Sequence, residues 1–172
     1  MANTIDKVTL KGNPVRLEGA TINVGDIAPD FTVVRPPFGA ATLSELKGKV
    51  VFLSVTPSLD TGVCDAQLRH INKAASDLSD SIAVWNLSND GPFAVSRFCA
   101  AAGIERVEAL TDFKDREFGH KYGMYMADLG LLARSLWIID AEGVVRYKQV
   151  VPEMTSAPDF DAAMAALQSI VG

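Results

Sequence analysis

Cys64 is the residue best placed in this sequence to do chemistry. It closes the stretch Pro57-Ser58-Leu59-Asp60-Thr61-Gly62-Val63-Cys64. Before that stretch, residues 50–55 form an apolar run that reads as a buried strand; after it, residues 65–72 read as a helix. A cysteine at such a junction lies near the unpaired N–H groups and the positive end of the helix dipole. Both favour a thiolate, the nucleophilic form of cysteine. The position therefore predicts a partly exposed nucleophile of lowered pKa. Plain packing is the competing reading, because free cysteine is among the most buried residue types.

Other residues could serve such a nucleophile. Thr61 precedes Cys64 by three positions, so on one helical turn its hydroxyl faces the same side. It is also a natural N-cap, and the two roles are compatible. Pro57 offers no N–H, and its ring could shield a thiolate from water; its plainer role is to stop a strand. Arg134 interrupts an apolar run, Leu131-Leu132-Ala133 before it and Leu136-Trp137-Ile138-Ile139 after it. A charge in such a run calls for a partner or a cleft. Cys99, the second of two cysteines, lies beside Phe98 and could equally be a core thiol. Asp112, Asp115 and Glu117 read as a solvated face. His70 and His120 show no ligand spacing, and no phosphate loop or metal motif is present, so neither a metal nor a cofactor is expected.

The elements that must position these residues follow from punctuation and periodicity. Residues 4–10 and 14–18 flank Lys11-Gly12-Asn13-Pro14 and predict an N-terminal hairpin. Residues 31–35 read as a strand stopped by Pro36-Pro37. Thr42 and Glu45 have the spacing of a capping box, which opens a short helical turn ending at Gly48. The helix after Cys64 aligns Leu68, Ile71, Ala74, Ala75 and Leu78 on one face. A second core strand covers 81–87, and a helix with Pro92 in its first turn runs to Gly103 and carries Cys99. Residues 107–110 form a short strand and 115–122 a short helix ending at Gly123. Residues 131–140 read as one strand, turned by Ala141-Glu142-Gly143 into a partner at 144–150, and 158–171 as the last helix. Strands alternating with helices imply an α/β fold, a mixed central sheet flanked by helices on both faces. No linker divides the chain, so residues 1–172 are expected to be one domain, with 1–18 as the hairpin extension.

Composition excludes several classes. A net charge of −5 without a basic cluster argues against nucleic acid as the main partner. No segment approaches a membrane span, and residues 1–7 lack the charged head and apolar run of a secretory signal. The simplest compartment is the cytoplasm. Two cysteines are too few for a disulfide scaffold.

Pro-x-x-x-Thr-x-x-Cys after a buried strand resembles the peroxidatic motif of the peroxiredoxins. The full run 57–64 is similar to that of one subfamily, the bacterial thiol peroxidases (atypical two-cysteine peroxiredoxins). Ser96-Arg97-Phe98-Cys99 resembles their resolving-cysteine segment, Gly25 to Phe31 the leading loop, Ala133-Arg134-Ser135 the distal arginine, and Gly12-Asn13-Pro14-Val15 the N-terminal hairpin. Trp85 departs from the pattern and reads as packing. The resemblance implies a thioredoxin-like fold and thiol-dependent reduction of hydrogen peroxide and organic hydroperoxides, an antioxidant activity. It makes Cys64 the peroxidatic sulfur and Cys99 the resolving one, joined in an intrachain disulfide that thioredoxin reduces. Arg134, Thr61 and Pro57 complete that site, and a homodimer is implied. Two readings of other classes remain: a redox-responsive binding module in which turnover is incidental, and a non-catalytic thioredoxin-like interaction domain.

Overall fold

The computed structural model describes residues 7–171. In chain order the strands are β1 (Val8–Leu10), β2 (Asn13–Val15), β3 (Leu17–Glu18), β4 (Thr32–Arg35), β5 (Gly39–Thr42), β6 (Val50–Val55), β7 (Ile82–Ser88), β8 (Glu108–Thr111), β9 (Tyr125–Met126), β10 (Leu131–Leu132), β11 (Ser135–Ile139) and β12 (Val145–Val150). The helices are α1 (Gly62–Ala75), α2 (Pro92–Ala102), α3 (Glu117–Tyr122) and α4 (Phe160–Val171), and a 3-10 turn covers Leu43–Leu46.

A seven-stranded sheet, in the order β12-β11-β6-β7-β8-β4-β5, carries the site. β6, β7 and β8 run parallel, and the other pairings are antiparallel. The central strands are apolar almost without interruption because both their faces are covered. Along β6 the side chains alternate between two cores: Val51, Leu53 and Val55 on one face, Phe52 on the other. α1, α2 and α4 cover the Phe52 face with Leu68, Ile71, Ala75, Val95, Ala163 and Leu167. α3 covers the other, where Phe118 and Tyr122 pack edge-on to Phe31 and Trp137. Each of the buried leucine, isoleucine, valine and phenylalanine side chains stabilises the fold by roughly 1.5–3 kcal/mol. Trp85 is packing, edge-on to Phe31 at 6.4 Å.

Strand direction decides where functional groups can gather. The parallel strands end at Val55, Ser88 and Thr111 on one sheet edge. β11 runs the other way and pairs Ser135 with Val55, so it begins where β6 ends. Arg134 and the Pro57–Cys64 stretch therefore meet at the same edge.

Several expectations change in the structure. The second arm of the N-terminal hairpin divides: β2 pairs with β1, whereas β3 leaves to pair with β9. The cause is the docking of the chain at Gly19, which has φ 118° and lies so close to His120 that a Cβ would meet its carbonyl oxygen at 2.2 Å. Residues 4–6 of that hairpin expectation lie outside the described residues. β5 has no periodic signal in Gly39-Ala40-Ala41-Thr42 and exists through its pairing with β4. Glu45 does not close a capping box; it pairs with Arg35 instead. The strand expected at 131–140 breaks at Ala133-Arg134. There the Ala133 N–H donates to the Met124 carbonyl and the Arg134 N–H to Met154 Sδ, so neither joins the ladder. Among the described residues no helix is long and apolar enough to cross a membrane.

Candidate active site

The turn into α1 is built by short-range hydrogen bonds. Thr61 is the N-cap: its backbone is extended and its Oγ1 accepts from the Cys64 N–H at 3.4 Å. The same hydroxyl donates to the Ser58 carbonyl at 3.2 Å. Cys64 is thus the third residue of α1, among the N–H groups with no partner inside the helix. Pro57 is buried at the end of the extended chain. The N-cap reading of Thr61 is what the geometry displays.

Cys64 is not partly exposed. None of its surface reaches solvent. It heads the inward stripe of α1, which continues through Gln67, Leu68, Ile71 and Ala75, so the helix aims the thiol at the sheet.

Arg134 is buried as well, with 2% of its surface exposed. Its Nε and Nη2 donate to the Met154 carbonyl at 3.2 and 2.8 Å, and its Nη1 donates to Gln67 Oε1 at 2.8 Å. All these acceptors are neutral. Among the described residues no carboxylate lies within ion-pair distance of Arg134. A buried cation held by neutral oxygens alone has attraction to spare for an anion.

Gln67 is the residue of the candidate site that the sequence reading does not single out. It lies one turn after Cys64 on the same face and holds Arg134. Its Nε2 donates to Ser54 Oγ at 2.8 Å, Ser54 Oγ donates to Asn86 Oδ1 at 2.9 Å, and Asn86 Nδ2 donates to Thr56 Oγ1 at 3.2 Å. The usable signal was a polar residue on an otherwise apolar helical stripe, since a buried amide must find partners.

The other support of Arg134 is tied to the N-terminal hairpin. The Met154 N–H donates to the Thr9 carbonyl at 2.8 Å and the Thr9 N–H to the Pro152 carbonyl at 2.7 Å. Between them, Glu153 accepts from the Gly12 N–H at 2.7 Å and the Thr155 hydroxyl at 2.6 Å. The Thr155 hydroxyl above all, then backbone N–H groups, hold the Glu153 carboxyl down at about 2.

Cys99 lies in the last turn of α2, half-buried and packed against the core beneath α1 and α2. Burial pushes its thiol up. Phe98, its neighbour, sits under the Arg69 guanidinium of α1 at 5.7 Å. Arg69 also pairs with Asp65 one turn earlier. Both cysteines are free thiols. The structure thus gathers Pro57, Thr61, Cys64 and Arg134 at one sheet edge and places Cys99 on the neighbouring helix of the same sheet face.

Asp112 does not belong to a solvated face. It is 1% exposed, and its carboxylate accepts from the Phe118 and Gly119 N–H groups, so it anchors the start of α3. Burial, chiefly, pushes its carboxyl up to about 6. His70 stacks on Phe160 and His120 packs near Tyr125. Among the described residues no cluster of side chains could hold a metal ion.

The Redoxin family profile matches residues 23–167. The chain is 47% identical over 164 residues to the thiol peroxidase of Staphylococcus aureus strain MRSA252, covering 95% of this chain and 99% of that one. It is 45% identical over 165 residues to the thiol peroxidase of Bacillus subtilis strain 168, covering 96% and 98%. A peroxiredoxin-like protein from Aquifex aeolicus superposes with a TM-score of 0.90 at 37% identity, over 95% of this chain and 96% of that one. The thiol peroxidase from Chromobacterium violaceum superposes with a TM-score of 0.84 at 21% identity, over the same shares, a likeness of fold.

Proposed function

This chain belongs to the Redoxin family and is a thiol-dependent peroxidase of thioredoxin-like fold, and we propose that Cys64 is the sulfur that meets the peroxide. One observation carries the assignment. A buried arginine with no carboxylate within ion-pair distance among the described residues is held, through Gln67, against the helical face that Cys64 heads.

The Cys64 thiolate attacks one oxygen of a hydroperoxide, hydrogen peroxide or an organic one. A sulfur–oxygen bond forms and the oxygen–oxygen bond breaks. Cys64 becomes a sulfenic acid, and the second oxygen leaves as water or an alcohol after taking a proton. Arg134 stabilises the thiolate first and then the charge growing on the leaving oxygen. Thr61 fixes the first turn of α1, and Pro57 keeps water from that side of the sulfur. Cys99 then attacks the sulfenic sulfur. A disulfide forms within the chain as the sulfenic sulfur–oxygen bond breaks, and the oxygen leaves as water after taking up a proton, which balances the one Cys99 releases on becoming a thiolate. A dithiol reductant returns both sulfurs to thiols by exchange. No step calls for a metal, haem or flavin.

The family likeness supports thioredoxin as that reductant. It also supports a homodimer of one-domain chains, working in the cytoplasm as an antioxidant defence.

Intact mass after one equivalent of hydrogen peroxide tests the assignment. The parent protein should lose two hydrogens, Cys64→Ser should not react, and Cys99→Ser should gain one oxygen. An unchanged parent mass, or a Cys64→Ser variant as reactive as the parent, returns both cysteines to packing.

A further inference from the structure

Asp90 joins the two elements that carry the cysteines. It lies between β7 and α2, just ahead of Pro92, the first residue of α2. Its carboxylate reaches back to the Cys64 loop. The Ser58 hydroxyl donates to Oδ1 at 2.7 Å and the Leu59 N–H donates to Oδ2 at 2.8 Å. From Ser58 the hydrogen bonds run on to Cys64. Thr61 Oγ1 donates to the Ser58 carbonyl and accepts from the Cys64 N–H, and the Asp60 N–H donates to Ser58 Oγ at 3.3 Å. Asp90 is itself fixed to the sheet edge. Thr111 Oγ1, at the end of β8, donates to its carbonyl at 2.6 Å, and its N–H donates to Ser88 Oγ at 3.4 Å.

We propose that Asp90 is a positioning residue, a latch that holds the Cys64 turn closed for the attack on peroxide and releases it for disulfide formation. This rests on the assignment of Cys64 above. The two sulfur steps make opposite demands on the same turn. Attack on peroxide needs Cys64 fixed relative to Arg134, because small misplacements of reacting groups slow a reaction steeply. Disulfide formation needs the opposite. The two Cβ atoms must come to about 4 Å, and Cys64, wholly enclosed, must first turn out of its seat. The balance is unchanged: the Cys99 thiolate displaces the sulfenic oxygen, which leaves as water after taking up a proton that balances the one Cys99 released. The carboxylate of Asp90 grips a hydroxyl and an N–H of the loop, and such charge-assisted bonds are the stronger kind. A residue that only stabilised the fold would not move the two steps in opposite directions.

Single-turnover kinetics with hydrogen peroxide separate the steps. Sulfenic acid formation is read in a Cys99→Ser background, and disulfide formation in the full chain by quenched intact mass. Asp90→Ala should slow the first step by about tenfold or more and speed the second by about fivefold. Over-oxidation of Cys64 under excess peroxide should fall, because the sulfenic acid persists for less time. Ser58→Ala removes one of the two latch bonds and should move both rates the same way by less. Asp90→Asn keeps an acceptor for the Leu59 N–H, so it should give intermediate values even where Asp90→Ala fails to fold. The latch is overturned if these variants leave the first step unchanged or slow both steps together. A parent that reacts normally beside a silent Cys64→Ser keeps the assignment of Cys64 when the latch fails. A silent parent removes the assignment itself.

Discussion

Cys64 has no exposed surface, stands third in its helix and shares a face with the residue that holds a buried arginine. Cys99 is half-buried in the last turn of its helix, and no cation takes part in what shifts it. The two helix positions differ in sign. N–H groups gather at the start of α1, and carbonyl groups gather at the end of α2. One seat suits a sulfur that must be an anion before it acts, and burial keeps the other sulfur a thiol at neutral pH. The contrast separates two duties that a pair of identical cysteines could not share equally. Peroxide reduction needs a fixed, charged site. Resolution needs a thiol that waits, together with a partner able to move.

The largest test of this contrast removes the charge. Arg134→Met keeps most of the volume and deletes the cation. The second-order rate of Cys64 with hydrogen peroxide should fall by about a hundredfold or more. Disulfide formation from a preformed sulfenic acid should change little if Arg134 serves the peroxide step as proposed. Arg134→Lys keeps a charge without the planar fork that reaches both Met154 and Gln67, so it should recover only part of the rate. Equal losses in both steps would erase the distinction between the two seats.

A smaller effect should follow from Gln67→Leu, which keeps the shape of the side chain and removes the acceptor for Arg134 Nη1. Arg134 then keeps its charge and its hold on Met154 but loses its tie to α1. The peroxide rate should drop by about tenfold. Melting should also fall, because Ser54 Oγ and the Val55 carbonyl lose their donor. If the rate holds while the melting temperature falls, Gln67 is structural and Arg134 is set by Met154 alone.

What could be read from the sequence was what is local. The apolar run of β6, the Thr61 cap three residues before Cys64, Pro92 at the start of α2 and Gly103 at its end all depend on near neighbours. Arg134 stood out because a charge inside an apolar run is costly. What could not be read depends on partners far along the chain. Glycine at position 19 gives no hint of the His120 backbone it must approach. The acidic look of 112–117 concealed that Asp112 turns inward to meet the α3 N–H groups. The expected exposure of Cys64 failed for a related reason. α1 begins at Gly62, three residues before the expected start at 65, and its rotation is set by Leu68, Ile71 and Ala75 against the sheet, which turns Cys64 inward.

The last and smallest prediction concerns the waiting thiol. Burial raises the pKa of Cys99, so near neutral pH only a small fraction is thiolate. Raising the pH increases that fraction, and the rise continues beyond the range of an ordinary cysteine because the raised value lies above it. Disulfide formation should therefore quicken by about threefold for each half unit of pH above neutral, in proportion to the thiolate. The peroxide step measured in Cys99→Ser lacks this dependence, since the titrating group is gone. A pH-independent resolution rate in the full chain would mean that opening of the Cys64 turn, rather than the Cys99 charge, sets the pace. In that event Asp90→Ala should restore the pH dependence, because removing the latch makes the sulfur chemistry the slower event. Failure of both would show that Cys99 does not attack as the thiolate from its present seat.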